Sequence, residues 1–390
     1  MNFQWIATWH NRFAIIFLNA VILFATLLAI MHFLLEAKHV PPESNKVYSR
    51  LFDMASYKLI SQDEAVQTGQ EFDQMGEQES YAFNPWTTFQ ERPFAGNLVT
   101  VKHGFSSNVR GTKAPVPAKV GQKDLIIWTF GGSTMFGWGV PDSQTIASYL
   151  QDQLQELMPA YHVQVTNHGH SYYFSSLEVS LYVALLRTEK KPDIVLFLDG
   201  LNDSIWLAQG WTAPQFAGAM ITAWETERQR RFSEDHNWIN IDQVFPLQRI
   251  TQYICANSSL PKKNTNSLLQ ENNPYIRETP NPSQTILQTY RLNRDMAASI
   301  SAKFGIDVHF FLQPVKKELF ELVTGSKEAY DSLSKEAYAK TFPHFHTLHD
   351  IFDTFTKQEL PYVDQAHYSD WGCKIIAEQM AKIIRPTWEQ

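Results

Sequence analysis

Three stretches of this chain place reactive side chains beside turn-forming residues. The first, "TFGGSTMFGWG" (129–139), follows the apolar run Leu125-Ile126-Ile127-Trp128 and offers Ser133 and Thr134 among four glycines. A strand that runs into such a turn can cradle a phosphate, bind a dinucleotide or present a serine nucleophile. A phosphate loop needs a lysine after its second glycine to hold the terminal phosphates; Gly132 and Gly137 have the glycine spacing, but Trp138 stands at the lysine position. The G-x-G-x-x-G fingerprint of a dinucleotide site is absent. The serine reading remains. Ser133 sits where a first strand ends and a helix begins, the edge at which open α/β sheets bind ligands, and its own N–H can help to hold an oxyanion. Taken alone, Ser133 reads as a helix cap before it reads as a nucleophile.

A serine nucleophile needs a base and a group to orient that base. "VDQAHYSDWG" (363–372) contains the one Asp-x-x-His of the sequence, Asp364 and His367. At that spacing on a turn, the carboxylate can take one ring N–H while the other ring nitrogen faces a serine. Chance also produces such a pair in a chain with 13 histidines. The third stretch, "DIVLFLDGLNDS" (193–204), is an apolar strand that ends at Gly200, with Asn202 just beyond. Its amide can donate to a developing oxyanion; Gly-Leu-Asn-Asp also reads as a turn and cap.

Positioning these groups requires a sheet whose strands end on one edge. From about residue 121 strand and helix patterns alternate, the mark of an α/β fold. Strands are predicted at "DLIIWTF" (124–130), "HVQVTN" (162–167), "DIVLFLD" (193–199) and "IDVHFFLQ" (306–313). Helices are predicted at 142–157, where Ile146, Tyr149, Leu150, Leu154 and Leu157 recur at helical spacing, at 175–190 ahead of Pro192, and at 283–305 with Gly305 as its stop. Residues 206–283 interrupt the alternation with Gln, Asn, four tryptophans and the loop-like "ENNPYIRETPNPS", and read as an insertion. Its aromatics suit local packing, or the lining of a substrate entrance.

Together the blocks are more specific than any one of them. A serine after the first strand, Gly-x-Asn-Asp after a later one and Asp-x-x-His near the C-terminus resemble the GDSL, or SGNH, hydrolase family over roughly 121–205 and 284–390. The resemblance implies a three-layer, flavodoxin-like α/β fold with a mainly parallel sheet, Ser133 as nucleophile, and Asp364 and His367 as the rest of a triad. It implies an oxyanion hole from the Ser133 N–H, the Tyr172 N–H and the Asn202 amide, with no cofactor and no metal. One block departs: "NHGHSYYFSS" (167–176) keeps Asn167 and Gly169 but has Tyr172 where the family carries a glycine. A tyrosine supplies the same backbone donor only if its φ and ψ allow it. His168 and His170 read as polar loop residues, without a third ligand for a metal. The implied activity is cleavage of carboxylic esters on a small molecule, lipid or envelope carbohydrate. The same site suits acyl transfer to or from an envelope glycan, and Tyr172 leaves room for a non-catalytic binding module.

The rest of the chain bounds these expectations. Hydrophobic residues make up 44% of 390, enough for a sizeable core. A net charge of −7, with "RQRR" (228–231) as the sole compact basic cluster, argues against nucleic-acid binding. Cys255 and Cys373 are too few for a disulfide framework; two unpaired buried cysteines, or a single disulfide, fit. After an N-terminal flank (1–12), residues 13–35 form 23 positions without a formal charge. As a helix they would reach about 35 Å at about 1.5 Å per residue, enough for an uncleaved single-pass transmembrane anchor. Residues 36–120 read as a juxtamembrane stalk or accessory layer. The family resemblance implies an extracytoplasmic domain, whereas Lys38, Lys46 and Arg50 after the span, against Arg12 before it, lean the other way.

Overall fold

A strand buried along its whole length needs apolar cover on both faces of its sheet, and the strands Ile194–Asp199 and Asp307–Leu312 are buried almost without a break. In the computed structural model the described residues are 17–19, 52–77, 81–207, 281–316, 319, 325–353, 355 and 361–388. The chain divides into two units, Met1–Ser44 with Trp224–Glu271, and Asn45–Ala223 with Asn272–Gln390. Of the first unit, residues 17–19 are described; they are helical and exposed. The rest of the 13–35 span and nearly all of the 206–283 insertion, Cys255 included, lie outside the described residues. No helix among the described residues is long and apolar enough to cross a membrane.

The second unit begins with helix α1 (Gln62–Glu77) and a hairpin of β1 (Tyr81–Asn84) and β2 (Thr88–Glu91). Short strands β3 (Phe94–Ala95), β4 (Thr100–Lys102) and β5 (Val109–Arg110) follow, then β6 (Lys123–Gly131), α2 (Ser133–Phe136), α3 (Ile146–Leu157) and β7 (Tyr161–Asn167). The remainder is α4 (Ser175–Thr188), β8 (Ile194–Asp199), α5 (Pro282–Phe304), β9 (Asp307–Leu312), α6 (Ser326–Tyr338), β10 (Phe345–Thr347) and α7 (Asp370–Trp388). Local chemistry marks several ends. The Thr145 side chain accepts from Ser148 N ahead of α3; Asn281 caps α5 with Pro282 in its first turn, and Gly305, at φ +68°, ends it.

The main sheet runs β10-β9-β8-β6-β7-β5-β4-β3. Strands β6 to β10 pair in parallel, and β3, β4 and β5 pair antiparallel. Numbered from β6, the parallel part has the order 2-1-3-4-5 of flavodoxin-like sheets, as expected. Leu125, Ile127, Leu196 and Leu198 face a core closed by α3 and α7, through Leu150, Leu154, Ile376 and Met380. Trp128, Phe130, Val195 and Phe197 face the other core, closed by α4, α5 and α6. The result is three layers, with both faces of the parallel strands dry.

Residues assigned from sequence to a stalk or accessory layer turn out to extend this domain. Strand β5 joins the sheet through Arg110 opposite Asn167. The Arg110 side chain is buried, pairs with Asp142, donates to Val140 O at 2.9 Å and lies over the rings of Phe72 and Phe136. Glu71 of α1 accepts from the N–H groups of Asn97, Leu98 and Val99, closing the turn before β4. The Asp370 carboxylate accepts from Lys58, Leu59 and Ile60 N, which ties the entering chain to the start of α7. Weak periodicity in this stretch reflects strands of two to four residues, too short to print a pattern.

Candidate active site

The switch point of a 2-1-3-4-5 sheet lies between its first and third strands, here β6 and β8, because the crossovers leave in opposite directions there. Ser133 follows the carboxyl end of β6 and Asn202 that of β8. The loop before α7 brings Asp364 and His367 to the same edge. His367 Nε2 stands 2.8 Å from Ser133 Oγ, and His367 Nδ1 stands 2.7 Å from Asp364 Oδ2. The second Asp364 oxygen, Oδ1, accepts from Ala366 N at 2.8 Å and His367 N at 2.7 Å. Burial alone would raise this carboxyl; the His367 ring and the two backbone donors outweigh it and hold Asp364 below its ordinary range. Lys316 Nζ donates to Asp364 O at 2.5 Å, and the Trp138 ring lies 6.3 Å from that of His367.

The glycine-rich turn lets these blocks meet. A Cβ on Gly132 would lie 2.4 Å from Asn202 Nδ2, and one on Gly169 would lie 2.4 Å from Phe136 N. Asn202 Nδ2 donates to Tyr173 O at 2.7 Å, so one amide hydrogen is committed to the 167–173 loop and the second is the one an oxyanion can take. Asn167, Gly169 and the short helix are laced together: Gly169 N donates to Asn167 Oδ1, and Asn167 Nδ2 to Met135 O, both at 2.9 Å. Ser133 opens α2, where first-turn N–H groups have no acceptor within the helix.

Tyr172 adopts φ +65°, the left-handed backbone that a glycine takes without strain, and the residue is 42% exposed. It packs against Tyr81 at 6.0 Å between ring centroids. The tyrosine therefore takes a glycine-like backbone while its side chain points away from the packed turn.

What holds that loop was invisible in the sequence. Glu91, at the end of β2, is fully buried; it pairs with His170 Nδ1 and accepts from Ser171 N at 2.6 Å. His170 Nε2 is 2.8 Å from Ser107 Oγ. Burial works to raise the Glu91 carboxyl, but the His170 ring and the Ser171 N–H lower it below its usual value. The two histidines set aside as polar loop residues are both buried. His168 stacks on Phe130 at 5.4 Å, and burial pushes its pKa down to about 3, so it is a neutral core ring. No local signal links Glu91 to His170, because the partners are 79 residues apart.

Behind Asn202, Glu178, Asp199 and Asp203 are buried together. Asp203 Oδ2 accepts from Ser175 N at 3.1 Å, and Tyr290 OH donates to Asp199 at 2.5 Å. Burial pushes Asp199 up to about 8 and Asp203 up to about 6, and raises Glu178 well above its ordinary range. With Glu178 and Asp199 raised in this way the core does not carry three charges at neutral pH, and Asp203 ties the turn that carries Asn202 to Ser175. The remaining described cysteine, Cys373, is buried and unpaired in α7.

No family model matches the chain, and no curated protein matches it. Among solved structures the chain is similar to a protein described as a putative lipolytic protein of the G-D-S-L family from Desulfitobacterium hafniense, at 13% identity over 66% of this chain and 98% of that one, with a TM-score of 0.36. A psychrotrophic esterase from Pseudoalteromonas sp. is 13% identical over 68% of this chain and 99% of that one, with a TM-score of 0.37. A carbohydrate acetylesterase from Sinorhizobium meliloti is 14% identical over 68% and 100%, with a TM-score of 0.38.

Proposed function

We propose that this protein is a serine ester hydrolase of the SGNH kind, with Ser133 as nucleophile, His367 as general base and Asp364 as the group that orients it. The observation that carries the reading is the continuous relay from Ser133 Oγ to His367 Nε2 at 2.8 Å and from His367 Nδ1 to Asp364 at 2.7 Å. Asp364 fixes the tautomer in which Nδ1 carries the proton and Nε2 is free to accept one. Ser133 Oγ attacks the ester carbonyl as His367 takes its proton. The oxyanion is received by the Ser133 and Tyr172 N–H groups and the Asn202 amide. His367 returns the proton to the departing alkoxide, and water, deprotonated by the same ring, then releases the acid and restores Ser133.

The substrate class is a carboxylic ester on a small molecule, lipid or envelope glycan, and the 13–35 span would hold the enzyme at the membrane with its domain on the extracytoplasmic side. A reporter fused at the C-terminus tests that orientation. The glycine-like φ of Tyr172 favours catalysis over a purely binding role, since the donor position is kept despite the side chain. A fluorophosphonate probe tests the nucleophile: the wild type should be labelled and Ser133→Ala should not. Folded wild type that resists the probe sinks the proposal. Acid released without an added acceptor separates hydrolysis from acyl transfer.

A further inference from the structure

At the other end of the sheet from Ser133 lies a cluster with no part in ester chemistry. Asp307 and His309 are two residues apart on β9 and so project from the same face. The neighbouring strand, β10, is the edge of the sheet, and His344 immediately precedes it. One ligand atom each from Asp307, His309 and His344 lies within 4.8 Å of the others. His309 Nε2 is 3.1 Å from Asp307 Oδ2, and His344 Nδ1 is 3.9 Å from Asp307 Oδ1. In a tetrahedral zinc site, with ligands at roughly 2.0–2.2 Å from the ion, neighbouring donor atoms stand about 3.3 Å apart. Each histidine already stands near that spacing from one oxygen of Asp307, and a small inward shift of the exposed His344 ring would close the rest.

We propose that Asp307, His309 and His344 form a binding site for a divalent transition metal, zinc by the chemistry of its donors, that clips β10 to β9. Two imidazoles and one carboxylate suit zinc better than magnesium or calcium, which favour all-oxygen sets. The ligands are held in place before any ion arrives. His309 is 1% exposed, and its other ring nitrogen, Nδ1, lies 3.2 Å from His346 Nε2. With Nε2 on the metal, Nδ1–H would donate to His346, the outer partner that a ligating histidine normally has. His346 is itself braced by stacking on Phe311 at 5.0 Å. His344 sits at φ +57°, and its carbonyl accepts from Phe310 N at 2.9 Å, which pins the backbone across the two strands. Its side chain is 44% exposed, so the site opens to solvent for entry and for a fourth, water ligand.

The site is remote from the proposed chemistry. Asp307 starts β9, while the loops around Ser133 gather at the opposite strand ends, roughly 17–20 Å away at about 3.3 Å per residue. The metal would therefore stabilise the sheet edge and leave ester hydrolysis alone.

The test titrates zinc into metal-stripped full-length protein against a chromophoric chelator, and cobalt(II) followed by its visible absorption. The wild type should bind one equivalent and melt at a higher temperature with zinc than without. His344→Asn removes the ligand but keeps a residue that tolerates the left-handed backbone. It should weaken binding by at least about a hundredfold, since even outer-shell partners carry about 10–100-fold. Asp307→Asn, a near-isosteric change, should do the same, and His346→Phe should weaken binding by about 10–100-fold while one equivalent is still bound. Esterase activity should be unchanged in His344→Asn. Wild type that takes up no stoichiometric zinc, or variants that bind it as well as the wild type, would overturn the proposal.

Discussion

Replacing Asp364 with Asn exchanges one carboxylate oxygen for an amide nitrogen and leaves the shape of the side chain nearly unchanged. The surrounding donors then decide which way the amide points. Oδ1 receives Ala366 N and His367 N at 2.8 and 2.7 Å, so an amide nitrogen there would face two N–H groups. Turning an amide nitrogen toward these two half-buried donors costs up to about 1–3 kcal/mol each, so the oxygen occupies the Oδ1 position and the NH₂ faces His367 Nδ1. His367 must then accept at Nδ1 and carry its proton on Nε2, pointing at Ser133 Oγ 2.8 Å away. A ring in that tautomer cannot take the serine proton. The expected loss in kcat is about 10⁴-fold, equivalent to about 5.5 kcal/mol of transition-state stabilisation, with KM little changed. The assay is steady-state hydrolysis of a chromogenic acetate ester, with a thermal melt to establish that the variant is folded. A folded Asp364→Asn enzyme that keeps kcat within about tenfold of the wild type would refute the reasoning.

Three further outcomes follow from the same geometry. Glu91→Ala orphans the Ser171 N–H and His170 Nδ1, so urea unfolding should show a loss of about 2–6 kcal/mol at roughly 1–3 kcal/mol for each group. Kcat should fall as the Tyr172 loop slackens, by up to about 10²–10³, the worth of one oxyanion donor; unchanged kcat in a destabilised variant would separate Glu91 from the site. Tyr172→Gly relieves a left-handed tyrosine that costs roughly 1–2 kcal/mol and adds a glycine entropy cost of roughly 0.5–1 kcal/mol. The protein should be equally stable or up to about 1.5 kcal/mol more stable, and still active; a large loss of activity would mean that the side chain itself serves the site. Finally, Asp199 and Asp203 are raised to about 8 and about 6, with Glu178 raised as well, so the unfolded chain releases these protons first as pH rises. The contributions of Asp203 and Asp199 are full below about pH 4 and are lost as pH rises through about 6 and about 8 respectively. Asp364 and Glu91 are depressed and act the other way, losing stability as pH falls below about 4. Thermal melts should therefore peak in mildly acid buffer, and Asp199→Asn should flatten the fall toward pH 8.

Some of this protein was legible residue by residue. The four long strands and three crossover helices announce themselves through apolar runs and helical spacing, because burial on both faces leaves a dense local pattern. Ser133, Asn202, Asp364 and His367 stood out as candidates because each lies in a short block where the turn and a polar group come together, and the fold gathers them at one sheet edge. Tertiary structure decided the rest. Whether Tyr172 could stand in for a glycine depends on a single dihedral, which the sequence does not carry. That β3 to β5 complete the sheet depends on Arg110 of β5 meeting Asn167 of β7, and that Glu91 holds the loop around Tyr172 depends on a partner 79 residues away. The Asp307–His309–His344 cluster exists only because β10 lies beside β9: an i, i+2 pair on one strand is commonplace, and a third ligand comes from the register of its neighbour. Local chemistry writes turns and amphipathic faces into the sequence. Long-range pairing, which brings the site's supports together, appears only once the chain has folded.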